Sequence, residues 1–116
     1  MAHSIEGKRW IVEDRYGNPI YLTQERWEHI TADTNHPEIN DYEEYLKITI
    51  KKGQRRQEPL NPRKYRYYRQ FDDLPDEVNH IVVIVLFGFD VDDNGKTKPN
   101  NFVATSFFKH IYKGDK

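Results

Sequence analysis

Residues 79–87, Asn-His-Ile-Val-Val-Ile-Val-Leu-Phe, constrain the fold of this chain more than any other segment. The run is apolar and β-branched without alternation. That pattern suits a central strand buried on both faces rather than a half-exposed one. It is also far too short to cross a bilayer as a helix. The rest of the chain must therefore supply a sheet around this strand and a layer to cover it.

Helices account for the layer. Thr23 has the side chain of a helix N-cap, with Glu25 in the first turn. The expected helix runs over residues 24–32, with Trp27, Ile30 and Thr31 on its inner face. A second helix starts at Pro37, where a missing N–H costs nothing. Ile39, Tyr42, Leu46 and Ile50 fall at spacings that make one helical face. Lys51 and Lys52 suit the negative C-terminal end, and Gly53 suits a left-handed cap.

The remaining segments read as strands and turns. Residues 8–12 and 19–22 form a short hairpin around Arg15-Tyr16-Gly17-Asn18. Residues 54–57, 64–70, 79–87 and 101–108 are the other strands, and 90–101 is an exposed hairpin loop. The expected architecture is α+β, with two N-terminal helices on a roughly four-stranded antiparallel sheet plus the short N-terminal hairpin. With 116 residues and no repeats or linkers, residues 1–116 read as a single domain.

Composition narrows the chemistry. Hydrophobic residues make up only 36% of the chain and charged residues 32%, but two Trp, eight Tyr and six Phe supply buried area that disordered chains lack. There is no cysteine, which removes disulfides, thiol nucleophiles and cysteine-ligated zinc. No short histidine spacing of the metal-binding kind occurs, so neither a metal nor another cofactor is expected. The N-terminal residues have no apolar signal core. The expectation is a soluble cytoplasmic protein with no membrane partner. Oligomeric state is left open.

The net charge of -1 hides a strong polarity. Between Lys51 and Arg69 eight basic residues face a single acid, Glu58, so this stretch carries +7 and the remainder -8. Such asymmetry points to a phosphate or nucleic-acid surface. The plainer alternative is a solvated strand pair.

Three groups of residues can carry chemistry. The first is His29 on the first helix, with His36 and Glu38 at the start of the second. Histidine moves protons near neutral pH, and a base and an acid flanking a phosphate are what metal-free RNA cleavage requires. Each also has a structural alternative: His29 at the core edge, His36 as a cap, Glu38 as a helix-dipole partner. The second group is Arg55, Arg56, Tyr65, Arg66, Tyr67, Tyr68 and Arg69. Arginine holds phosphates and tyrosine stacks on unpaired bases. In a strand Arg66 and Tyr68 share one face, while Tyr65, Tyr67 and Arg69 share the other. Only one set faces the covered side, where tyrosines would serve the core. The third is Thr105-Ser106, whose hydroxyls point to opposite faces. One can contact a phosphate or a histidine, or simply a neighbouring strand.

The order Leu22-Thr23-x-x-Arg26-Trp27-x-His29-Ile30, His36-Pro37-Glu38-Ile39, Tyr65-Arg66-Tyr67-Tyr68 and residues 102–108 resembles the phage-related nuclease-like domains of the barnase–EndoU–colicin–RelE superfamily. The resemblance spans about residues 10–112. It implies two helices against a four-stranded antiparallel sheet and metal-independent ribonuclease activity in toxins or phage-related conflict systems. By position it assigns catalytic roles to His29, His36, Arg66 and Thr105. Substrate contacts then fall to Arg55, Arg56, Tyr65, Tyr68 and Arg69. After the second helix the sequence Lys52-Gly53-Gln54-Arg55-Arg56 departs from the usual pattern, which leaves Arg55 against Arg56 open. RNA is the expected partner, with an antitoxin or other protein as a further one. The alternatives are a non-catalytic RNA- or phosphate-binding module and a protein-binding regulatory module of a toxin–antitoxin or defence system.

Overall fold

The computed structural model describes residues 7–112. Strand β1 (Lys8–Glu13) and strand β2 (Pro19–Thr23) form the N-terminal hairpin. Helix α1 (Gln24–Ile30) follows directly. The Thr23 hydroxyl accepts the Arg26 N–H at 2.9 Å, as an N-cap should, and Trp27 and Ile30 are buried. A 3-10 segment, Pro37–Tyr42, leads into helix α2 (Glu43–Lys52). The expected single helix is thus two pieces, and the tighter one contains the poor helix formers Asn40 and Asp41. Its inner face holds: Ile39, Leu46 and Ile50 are fully buried, and Tyr42 packs edge-on against Phe108.

Gly53 ends α2 with φ -76, not in the left-handed region. Glycine is needed there for closeness. A Cβ at this position would collide with the Thr49 carbonyl and lie 2.7 Å from the Tyr68 carbonyl oxygen.

Strands β3 (Gln54–Glu58), β4 (Asn61–Gln70), β5 (His80–Leu86) and β8 (Phe102–Lys109) pair antiparallel in the spatial order β3-β4-β5-β8. A separate ribbon, β6 (Phe89–Val91) and β7 (Thr97–Pro99), occupies the expected loop. The expectation of a roughly four-stranded antiparallel sheet with a short N-terminal hairpin is corrected by the topology. The main sheet has six strands in the order β1-β2-β8-β5-β4-β3 and is mixed, because β2 runs parallel to β8. Only Tyr21 and Phe102 are paired across that junction. The buried side chain of Asn101 locks it: its amide donates to Pro19 O at 2.9 Å, and its backbone carbonyl accepts the Tyr21 N–H at 3.0 Å.

The two faces of this sheet differ. Ile81, Val83 and Val85 of β5 pair in register with Arg69, Tyr67 and Tyr65 of β4 and share the core with Trp27, Ile39, Leu46 and Ile50. This is the face that the helices cover. Burial of such side chains stabilises the fold by about 1.5–3 kcal/mol each. Val82 and Ile84 point the other way, onto a face that no helix covers among the described residues, and lie outside the main core cluster although both are buried. The central run is therefore buried on both sides, as its composition requires.

Candidate functional site on the open sheet face

Strand register builds one continuous row on the open face. Arg56 of β3 faces Arg66 of β4, Arg66 faces Ile84 of β5, and Ile84 faces Thr105 of β8. Like charges directly opposite one another in a sheet are destabilising, so the Arg56–Arg66 pair is costly to the fold. Glu58 relieves part of it, with its carboxylate 3.4 Å from Arg66. The Arg66 Nε is nevertheless buried without a hydrogen-bond partner. An unsatisfied buried donor costs about 1–3 kcal/mol. The rest of the guanidinium is about one-third exposed and lines a groove.

That groove has a volume of about 440 Å³. Ile84, Leu86 and Ala104 make an apolar floor, Thr105 and Phe107 form one wall, and Glu58, Asn61, Lys64 and Arg66 line the other side. Ala104 is the extra residue of a β-bulge between two paired positions on β8, which sets Thr105 opposite Ile84. Thr105 and Phe107 are two residues apart on one face, ~7 Å along the strand.

His36 reaches this wall from the start of the 3-10 segment. Its ring lies 5.8 Å from the Phe107 ring, and its Nδ1 is 3.2 Å from a Glu38 carboxylate oxygen. Its backbone N–H is tied to Ile30 O at 2.9 Å, which fixes the connection from α1. In the tautomer whose Nδ1–H donates to Glu38, the Nε2 lone pair is left free. A base oriented by a carboxylate is a recurrent catalytic arrangement.

His29 lies elsewhere. It is exposed on α1 and lines a second groove with Tyr21, Thr23, Arg26, Phe102 and Val103. The structure thus brings Arg66 and Thr105 into one groove and His36 to its wall, and sets His29 in the neighbouring one.

The other expected contacts divide between the two faces. Arg56 and Tyr68 are on the open face, with the Tyr68 hydroxyl donating to Gln54 at 3.1 Å. Arg55, Tyr65 and Arg69 are on the helix-covered side. Tyr65 packs at 4.7 Å against Phe87, and the Arg69 guanidinium sits 4.9 Å from the Phe71 ring. Arg55 lies between the Tyr16 and Tyr65 rings at 4.2 and 4.6 Å and is 3.7 Å from the Asp14 carboxylate. In this register Arg56 faces the open side and Arg55 the covered one.

Asp14 is the anchor of the covered side. Its side chain is fully buried and accepts the Tyr67 hydroxyl at 2.5 Å and the Asn18 N–H at 2.8 Å. Burial alone would raise its pKa. The hydrogen bonds from Tyr67, Asn18 and the Tyr16 backbone outweigh that and hold the carboxyl below its ordinary value. Burial, reinforced by Asp14, pushes the Tyr67 phenol well above its ordinary value.

Sequence reasoning missed the Phe107 and Lys64 contributions and the partnership of Glu38 with His36. The i, i+2 spacing of His36 and Glu38 was the one available signal. Among the described residues no cluster of three or more His, Asp or Glu is placed to hold a metal ion, and no helix is long and apolar enough to cross a membrane. No family model, curated protein or solved structure matches this chain.

Proposed function

We propose that the open face binds single-stranded RNA and that His36 drives its metal-independent cleavage. The observation that carries this reading is the Arg56–Arg66–Ile84–Thr105 row, with the partly exposed Arg66 guanidinium beside an apolar floor. Paired arginines bind a phosphodiester, and the apolar floor with Phe107 accepts the face of an unpaired base. In a duplex those base faces are stacked and closed to the protein, which favours single strands. The resemblance to phage-related nuclease-like domains points the same way.

In this mechanism His36 Nε2 takes the proton of a ribose 2′-OH. The 2′ oxygen forms a bond to phosphorus, the bond from phosphorus to the 5′ oxygen breaks, and the leaving oxygen takes a proton from solvent. Arg66 and Arg56 stabilise the charge that builds on the phosphoryl oxygens. Thr105 donates a hydrogen bond to one of them. Glu38 keeps the imidazole in the working tautomer.

A second reading, RNA binding without cleavage, draws on one observation: His29 lines the second groove while His36 lies against Phe107 of the first, so no second histidine stands ready to protonate the leaving group. One experiment separates the two. Purified protein is incubated with RNA in the presence of a chelator. Cleavage to 2′,3′-cyclic ends that falls by about 10²-fold or more in His36→Ala supports the catalytic role. Intact RNA with both proteins, together with Arg66-dependent binding, supports the binding module. Neither cleavage nor binding rejects both.

A further inference from the structure

We propose that the groove between β2, α1 and β8 is a second nucleotide subsite, so that the protein holds consecutive nucleotides of a strand that crosses β8. This rests on the RNA reading above and adds where the strand goes.

The argument begins with strand parity. Ile20 and Leu22 are buried in the core, so Tyr21 and Thr23 point to the opposite side. Tyr21 is paired with Phe102, and Phe102 with Leu86, which floors the first groove. Both grooves therefore open on the same face, with β8 as the ridge between them. From Phe102 to Thr105 is ~10 Å along that strand. The second groove measures about 420 Å³, close to the 440 Å³ of the first.

Its lining has the chemistry of a nucleotide. The Tyr21 and Phe102 rings are 6.1 Å apart and tilted by 38°; the Lys8 ammonium lies 4.6 Å from the Tyr21 ring, and Phe102 offers an apolar face to a base. Tyr21 is held in place by its hydroxyl bond to Asn100 at 2.5 Å. Arg26 and His29 stand on the helix side of the groove. Among the described residues the Arg26 guanidinium has no ion-pair or hydrogen-bond partner, although a carboxylate, Glu25, is adjacent in sequence. A free guanidinium beside aromatic faces suits a phosphate and its base together. Glu25 supplies an acceptor for a base amino group. The junction that makes this groove is the single parallel pair of β2 with β8, beyond which β2 turns into α1 and leaves the space open.

The test compares ligand lengths. A 2′-O-methyl mononucleotide 5′-phosphate and a 2′-O-methyl tetranucleotide, neither of which can be cleaved, are titrated against the full chain. Wild type should bind the tetranucleotide at least about tenfold more tightly. Arg26→Ala should remove about tenfold of tetranucleotide affinity and weaken the mononucleotide less. Arg66→Ala should weaken both. An unchanged thermal unfolding curve for Arg26→Ala establishes that the loss is local. Tetranucleotide binding by Arg26→Ala equal to wild type, with Arg66→Ala still impaired, overturns the second subsite and leaves the first. Failure of wild type to bind either ligand overturns both.

Discussion

Arg55 and Arg56 are neighbours in one short strand and have opposite surroundings. Arg55 turns toward the helices, where Tyr16, Tyr65, Tyr67 and Asp14 absorb its charge. Arg56 turns outward to face Arg66, a second cation, across the strand pair. The covered side closes a buried network in which each polar group finds a partner. The open side leaves like charges together and one Arg66 donor unsatisfied. A stable fold is served by the first arrangement and opposed by the second. The difference separates residues that hold the molecule together from residues available to a ligand.

The comparison can be broken most easily on the covered side. Tyr67→Ala empties a fully buried site in the core and strands Asp14. It should lower stability by ~3–5 kcal/mol in denaturant unfolding. A loss below about 1 kcal/mol would show that the buried network is not the anchor described. Next comes the arginine pair itself. Arg55→Ala should cost ~1–3 kcal/mol through lost packing and hydrogen bonding, because the side chain is three-quarters buried. Arg56→Ala should change stability by no more than about 0.5 kcal/mol. Equal effects from the two would erase the distinction between the faces.

Acid should act through the covered side as well. Asp14 is held below its ordinary value by its hydrogen bonds once these overcome burial, and Glu43 is held down chiefly by Arg9 and also by Trp10. A depressed folded pKa stabilises the native state above the unfolded value, near ~3.9 for Asp and ~4.3 for Glu. That stability is lost as pH falls through the lower folded values. The unfolding midpoint should therefore drop below about pH 4, and Asp14→Asn should flatten the drop. A midpoint unaffected by acid would contradict the anchor. The smallest contrast is between adjacent hydroxyls. Ser106 is buried and donates to Val82 O at 2.7 Å, so Ser106→Ala should cost ~1 kcal/mol. Thr105 lines the groove, and Thr105→Ala should leave stability nearly unchanged while it slows the proposed cleavage.

Local features of this fold were legible in the sequence. The Thr23 cap, the Trp27–Ile30 face, the Ile39–Leu46–Ile50 stripe and the central β-branched run each depend on neighbours within a few residues. The parallel β2–β8 junction was not legible. It rests on one residue pair and on Asn101, about 80 positions from Pro19 in the chain. The alternation along β4 divided its side chains into two sets, but deciding which set is covered required the packing of Tyr67 against Asp14 and β5. Likewise His29 and His36 are close in sequence. Only the path of α1 along β8 sets His29 in the second groove and brings His36 to Phe107.

The central claim is that Arg56 and Arg66 are a phosphate site and Arg55 is not. The most direct measurement is the salt dependence of binding to an uncleavable single-stranded 2′-O-methyl RNA. The slope of log affinity against log salt should fall by about 1 for Arg56→Ala and by about 1 for Arg66→Ala. An Arg55→Ala protein, measured where it remains folded, should keep the wild-type slope. Slopes that are the same for wild type, Arg56→Ala and Arg66→Ala would contradict the account.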